Sequence, residues 1–322
     1  MLKPLLFLLM VGSTIAAFSF ESRFEQFQSS NPSQLKLSKL LDAQEINALL
    51  TVLADRSQGK APDSEFLRWI AELPSFEPVW QAVGFYAKPK SQEGFDKRNK
   101  KNAGAVVSAS NLNLQKEFFE KHKKLFFRLE KHYGVKAEIL VALCSMETRL
   151  NRARLPHLAY AVFATQLAFF KDVFGLRSEF LDLQRVERLM RMARHNIVSL
   201  YLYTSENRIS IEEIRSSWAG ACGPMQFLPF NFHYLEDGDL DGDIDLRKVD
   251  DALAGAANFL QKKGWTRRHN EWFESGESDH ELIKVLKRYN ANDEYALGVL
   301  NSARLLKSLS VSKMMEKTKL SP

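Results

Sequence analysis

Between Val135 and Met146 the chain reads "VKAEILVALCSM", and a helix over Ala137 to Leu150 has no polar face until Ser145. Such a helix is predicted to be buried nearly all round, which asks for a chain able to enclose it. At 322 residues, with 45% apolar and 26% charged content, this chain is long enough for one large domain or two modest ones with a sizeable core.

The remaining pattern is also helical. Asp42 and Glu45 have capping-box spacing ahead of Ile46, Leu49, Leu50 and Leu53 on one face, and a second amphipathic piece from Ser64 to Leu73 ends at Pro74. Leu114, Phe118, Leu125, Phe126 and Leu129 make a helical stripe within Leu112 to Tyr133, which Gly134 breaks. Further helices are expected near His157 to Val173, Glu179 to Tyr203, Asp251 to Lys263, His280 to Arg288 and Glu294 to Ser308. With no strand-period segment or internal repeat, the fold class reads as all-α for the most part. The expected organisation is a signal peptide over 1–17, a small N-terminal helical lobe over 18–95, a polar linker over 96–111, a main domain over 112–309 and a flexible tail over 310–322.

The signal reading rests on Lys3, the apolar run from Pro4 to Val11, and the small residues Ser13, Thr14, Ala16 and Ala17, with cleavage expected near Ala16 or Ala17. The run is short for a membrane span, which needs about 20 apolar residues. No cysteine follows it to carry a lipid. Export to the periplasm or cell envelope as a soluble protein is therefore expected, without stable membrane insertion once the signal is removed. The net charge of +6 favours an anionic partner, but Lys and Arg are scattered among acids rather than gathered in a stripe, which argues against nucleic acid. Cys144 and Cys222 either form one bridge or serve as small buried hydrophobes.

Glu147 follows Leu143 by four residues, Cys144 by three and Leu140 by seven, so it shares their apolar face. Desolvation there raises a carboxyl pKa, and an acid still protonated near neutrality can donate to a leaving oxygen. The plainer alternative pairs Glu147 with Arg149 or Arg152, or leaves it in solvent at the helix end. A second segment, "SSWAGACGPMQFLPFNF" from Ser216 to Phe232, combines Ala219, Gly220, Ala221 and Gly223, which permit close approach, with the amide of Gln226; this suits a sugar. Read plainly, it is a sterically packed turn with Phe227 and Phe230 in the core.

"METR", then "SWAGACGPMQFLP", then an aspartate-rich loop, then "KRYNANDEYALGV" occur in the order found in lytic murein transglycosylases of the B type. From about Leu112 to Leu309 the chain resembles that family of lysozyme-like enzymes. The resemblance implies cleavage of the β-1,4 bond between N-acetylmuramic acid and N-acetylglucosamine in peptidoglycan glycan strands, with closure of a 1,6-anhydro ring. It implies Glu147 as the single acid and then base, and Ser217, Gln226, Tyr289 and Asn290 along the substrate cleft. The absence of an obvious second catalytic carboxylate beside Glu147 fits that mechanism. The chain departs from the family at Leu150 and Asn151, where relatives carry tryptophan and glycine, and at Phe259, where a tyrosine is often present. Arg177 is a candidate cleft arginine. These changes read as drift at packing positions, altered substrate preference, or lost turnover in a wall-binding protein; a muramidase that hydrolyses the same bond is a further alternative.

"DGDLDGDIDLRK" places Asp237, Asp239 and Asp241 at the first, third and fifth positions of an EF-hand-like loop, with Gly242 at the sixth and Ile244 at the eighth. Asp243 would offer its backbone carbonyl and Asp245 a water-mediated contact. The twelfth position is Lys248, which cannot ligate, and the resemblance implies Asp251 as the later ligand. A structural calcium is expected, with no organic cofactor. The alternative is an empty acidic turn with Asp250 capping the next helix.

Overall fold

The computed structural model describes residues 20–87, 100–176 and 183–319, with side chains described as far as 309. The expected signal peptide and Arg177 lie outside the described residues. Among those described, the helices are α1 (20–30), α2 (Leu37–Leu40), α3 (Ala43–Ser57), α4 (Asp63–Glu72), α5 (Gln81–Ala87), α6 (100–106), α7 (Ala109–Lys121), α8 (Lys123–Tyr133), α9 (Ala137–Thr148), α10 (Ala159–Gly175), α11 (Leu183–Asn207), α12 (Val249–Lys262), α13 (Arg267–Ser275), α14 (Asp279–Leu286) and α15 (Asp293–Lys319).

The chain forms two compact units, each discontinuous in sequence. Residues 155–221 and 228–230 join the N-terminal helices in the first unit, whereas 91–154, 222–227 and 231–322 make the second. These bounds differ from the N-terminal lobe over 18–95 and the main domain over 112–309 expected from the sequence. Within the span read as a linker, residues 100–106 are helical and Val106 is buried.

In the first unit α10 packs against α5 and α11, and α11 against α3. Two aromatic clusters add to this unit: Trp80, just before α5, lies 4.9 Å from Phe169 on α10, and Tyr201 on α11 lies 5.1 Å from Phe66 on α4, ring centre to ring centre. Asp42 caps α3 by accepting the Glu45 N–H at 2.7 Å. The Glu45 carboxylate in turn receives two Arg194 nitrogens from α11 at 2.6 and 2.9 Å, a fork geometry that fixes angle as well as distance. In keeping with a mostly α fold, the two short strands here, β1 (His157–Leu158) and β2 (Arg215–Ser216), pair antiparallel. Strands of two residues are too short to carry a period.

The second unit is built around α9. Ala137, Ile139 to Ser145 and Thr148 are all buried, as the unbroken apolar run predicts. α15, α7, α8 and α12 pack on it. Gly298 lets α15 approach closely, since a Cβ there would meet Ala103 Cβ at 2.9 Å and Met146 Cε at 2.8 Å. The helix expected over Leu112 to Tyr133 is two helices joined at His122, whose φ of −105° and ψ of 19° leave the helical region. Gly134 ends the second in the left-handed conformation, φ 68°. The helix α13 has no counterpart among the expected elements: its sequence, "RRHNEWFES", buries only Phe273, and it is started by reciprocal bonds between Thr266 and His269.

Candidate active site and acidic loop

Glu147 sits in the last turn of α9, half-buried, at a cavity of about 390 Å³ in the second unit. Asn102, Ser108, Ser110, Asn111, Ser145 and Arg149 contribute polar groups to its wall. Burial pushes the Glu147 carboxyl up to about 7, and the Tyr295 hydroxyl, which donates to Oε1 at 2.5 Å, pulls the other way. An acid so placed is part protonated at neutral pH, as a proton donor must be. The plainer alternative for Glu147, a pairing with Arg149 or Arg152, is not what the structure contains: its partner is a tyrosine.

Tyr295 lies on α15, 9% exposed, in the first turns of a helix that packs along α9. The sequence reading missed it, although it falls within the quoted "KRYNANDEYALGV" stretch. The available signal was its spacing: Tyr295, Val299 and Ser302 recur at helical intervals and are all buried. The same reading missed Asn111, whose amide donates to Ser145 Oγ at 2.9 Å and to the Val106 carbonyl at 3.0 Å. These bonds join α6, α7 and α9 at the cavity wall.

The chain turns sharply after Glu147. Arg149, Leu150 and Asn151 have φ of 52°, 62° and 63°, three consecutive left-handed residues without a glycine. Thr148 holds this turn: its Oγ1 accepts the Asn151 N–H at 3.0 Å and donates to the Pro224 carbonyl at 2.7 Å. The departures from the family pattern are absorbed here. Asn151 is the non-glycine type that best tolerates a left-handed backbone, and Leu150 is a packing residue, 6% exposed. Phe259 is likewise buried, its ring 5.2 Å from that of Tyr289 and 4.9 Å from that of Tyr234.

Residues 222–227 close a tight hairpin, with Cys222 and Phe227 exchanging backbone hydrogen bonds at 2.8 and 3.0 Å. Gly223, φ 69°, is required because a Cβ would lie 2.5 Å from the Leu246 carbonyl oxygen. The Tyr289 hydroxyl donates to the Met225 carbonyl at 2.6 Å, so the hairpin is fixed both to the end of α9 and to Tyr289. At its tip Gln226, φ 53°, turns its amide back to the Gly223 carbonyl at 3.1 Å. The Tyr289 hydroxyl is held well above its ordinary pKa by burial and then by the Glu147 charge, which places the two groups in one electrostatic neighbourhood. Asn290 is exposed, its carbonyl accepting the Asn292 N–H at 2.7 Å. Ser217 belongs to the first unit, where its hydroxyl accepts the Ala221 N–H at 3.3 Å. Cys144 and Cys222 are both buried free thiols; burial pushes Cys144 up to about 12 and Cys222 higher still.

In the aspartate loop, carboxylate oxygens of Asp237, Asp239 and Asp251 converge within 4.8 Å of one another. Asp251, buried on α12, accepts the Gly238 and Asp245 N–H groups at 2.8 and 2.7 Å. Burial raises its pKa and these two bonds lower it. Asp237 accepts from Leu240 at 2.7 Å and Gly242 at 2.8 Å, and Gly242 takes φ 94° at the sharp bend. Hard oxygen donors converging at such a bend fit calcium. The carboxylate of Asp241 is engaged by Lys248, Asp243 is exposed with its N–H on Asp241 Oδ1 at 3.0 Å, and Asp245 is bound by Arg247. Asp250 pairs with His122 at 3.2 Å.

A family model described as a transglycosylase SLT domain matches residues 72–275. Membrane-bound lytic murein transglycosylase B of Escherichia coli (strain K12) is 25% identical over 162 residues, which cover 50% of this chain and 40% of that protein. The chain thus spans less than half the length of that curated relative. Among solved structures, the soluble lytic transglycosylase SltB1 from Pseudomonas aeruginosa aligns with a TM-score of 0.62 at 20% identity, over 83% of this chain and 99% of that one. Escherichia coli Slt35 in complex with calcium aligns at 0.58 with 16% identity, over 82% and 94%. SltB3 from Pseudomonas aeruginosa in complex with NAG-NAM-pentapeptide aligns at 0.52 with 18% identity, over 89% and 79%. At these identities the likeness establishes the fold, the mostly helical, lysozyme-like architecture expected from the motifs.

Proposed function

Because the chain belongs to the transglycosylase SLT domain family, we propose that it is a lytic transglycosylase acting on peptidoglycan glycan strands, with Glu147 as its one acid and base. The observation that carries this is Glu147 itself, a half-buried carboxyl pushed up to about 7 and held by Tyr295 at a cavity. Protonated Glu147 donates to the glycosidic oxygen between N-acetylmuramic acid and N-acetylglucosamine, and the C1–O bond breaks. The resulting carboxylate takes the proton of the muramyl C6 hydroxyl as its oxygen bonds to C1. This closes the 1,6-anhydro ring and returns Glu147 to its acid form.

Among the described residues lining that cavity, Glu147 is the one acid, which supports a single-carboxylate route over the paired carboxylates of an ordinary glycosidase. Tyr289 fixes the hairpin that carries Gln226, and Gln226, Tyr289 and Asn290 are the substrate contacts of the second unit in this reading. A calcium ion at Asp237, Asp239, Asp241 and Asp251, with the Asp243 carbonyl, would supply only charge neutralisation and local order; bond cleavage is assigned to Glu147. The protein acts after export, in the envelope where its substrate lies. Among the described residues no helix is long and apolar enough to cross a membrane.

Mass spectrometry of muropeptides released from purified peptidoglycan tests this. Anhydro products, lighter by one water than reducing ones, are expected from wild type and not from Glu147→Gln. Reducing products would identify a muramidase instead. No product from wild type, with wall binding intact, would identify a binding protein that has lost turnover.

A further inference from the structure

The aspartate loop carries a cation of its own. Lys248 stands at the twelfth position, where an EF-hand places a glutamate with two ligating oxygens. Its ammonium nitrogen lies 3.1 Å from Asp239 Oδ2 and also bonds Asp241 Oδ2. Asp239, Asp237 and Asp251 are the three carboxylates that converge, so the ammonium and a metal ion call on the same Asp239 carboxylate.

The backbone of Lys248 is clamped: its N–H donates to the Asp245 carbonyl at 2.9 Å, and its carbonyl accepts the Ala252 N–H at 3.2 Å as α12 begins. The following turn carries Asp251. The lysine is therefore built into the segment that forms the cluster, and only its side chain is able to leave. The other basic side chains around the loop are occupied elsewhere: Arg247 on Asp245, Arg128 on the Gly238 carbonyl and His122 on Asp250.

We propose that the Lys248 ammonium is an internal competitor for calcium, holding the metal-free loop together and weakening its affinity for the ion. This rests on the calcium reading above. Without a positive charge among them, Asp237, Asp239, Asp241 and Asp251 repel one another. The tethered ammonium supplies that charge, and calcium has to displace it from two carboxylates before it binds. The loop thus has two alternative cations, one covalently attached and always present.

Calcium titration by calorimetry, with thermal melts in EDTA and in calcium, on the full chain tests the proposal. Lys248→Met, which keeps the stem and removes the charge, is expected to bind calcium on the order of tenfold more tightly and to melt below wild type in EDTA. Lys248→Glu, which adds a ligand, is expected to bind more tightly again. Lys248→Arg retains the charge and is expected to follow wild type in both measurements, so a gain in its affinity to the level of Lys248→Met overturns the proposal even if the methionine variant folds poorly. Equal affinities for wild type and Lys248→Met overturn the competition alone. Unchanged melting of Lys248→Met in EDTA overturns the holding role. An absence of calcium binding by Lys248→Glu overturns the calcium reading itself, and the competition with it.

Discussion

Two regions of the second unit handle carboxylates by opposite means. At the end of α9 a single acid is half-buried, and burial raises its pKa to about 7, so the group holds a proton near neutrality. In the aspartate loop several acids crowd together, and the chain surrounds them with backbone N–H groups and one ammonium. Asp241 accordingly lies below its ordinary pKa, chiefly through Lys248. The residue type is the same in both places, a carboxyl group. Its neighbours decide whether it is a proton donor or part of an electrostatic clasp.

The largest expected effect separates the two regions directly. Glu147→Gln should lower release of anhydro muropeptides by at least about 100-fold, whereas Asp241→Ala should leave product formation within a few-fold of wild type; similar losses in both would break the comparison. Next comes Asp251→Ala, which strands the buried Gly238 N–H and the half-buried Asp245 N–H and should cost about 2–4 kcal/mol in urea unfolding. A loss no larger than that of an exposed loop substitution would show those bonds to be dispensable.

Tyr295→Phe sharpens the first region alone. Loss of its hydrogen bond removes the one influence that lowers the Glu147 pKa, so the alkaline limb of the pH–rate profile should move upward while turnover falls about tenfold; a limb that stays in place would count against the tyrosine as a positioning residue. The sign for stability follows from the same shift. Since the folded-state pKa of Glu147 is raised from 4.5 to about 7, its contribution is lost as pH rises through that window. Glu147→Gln should therefore be more stable than wild type by about 1–2 kcal/mol at pH 8, with the gain gone at pH 4. Unfolding curves at the two values check it. The smallest effect belongs to the loop: calcium should raise the melting temperature by a few degrees and Asp241→Ala should abolish that rise. An unchanged melt of wild type would remove the metal from this account.

How far these features were legible depends on whether the signal was local. The burial of α9 and the raised pKa of Glu147 follow from an apolar run that needs no partner to interpret. The acidic loop is equally local, since its spacing alone places the glycine at the bend. The break at His122 and the helix α13 were not legible, because one interrupts a continuous apolar stripe and the other buries a single phenylalanine. Tyr295 acts on a residue 148 positions away, and no pattern within either segment joins them. The same holds for residues 155–221, which cluster with the N-terminal helices through packing between elements. Lys248 was seen to be unable to ligate; that its charge would turn inward onto Asp239 and Asp241 depended on backbone bonds that fix where its stem begins.

Gly298 sets a tolerance that the proton chemistry inherits. The carboxyl it serves is on α9, the hydroxyl that meets it is one helical turn earlier on α15, and α15 is seated where Gly298 leaves room for the backbone of Ala103 on α6 and the end of the Met146 side chain on α9. A single methyl group at this position would act as a shim between α6 and α15, displacing the helix that carries Tyr295 and felt at Glu147 as a lengthened 2.5 Å contact with no change in any residue the substrate touches. The alignment of the acid is thus specified partly by an atom the chain omits.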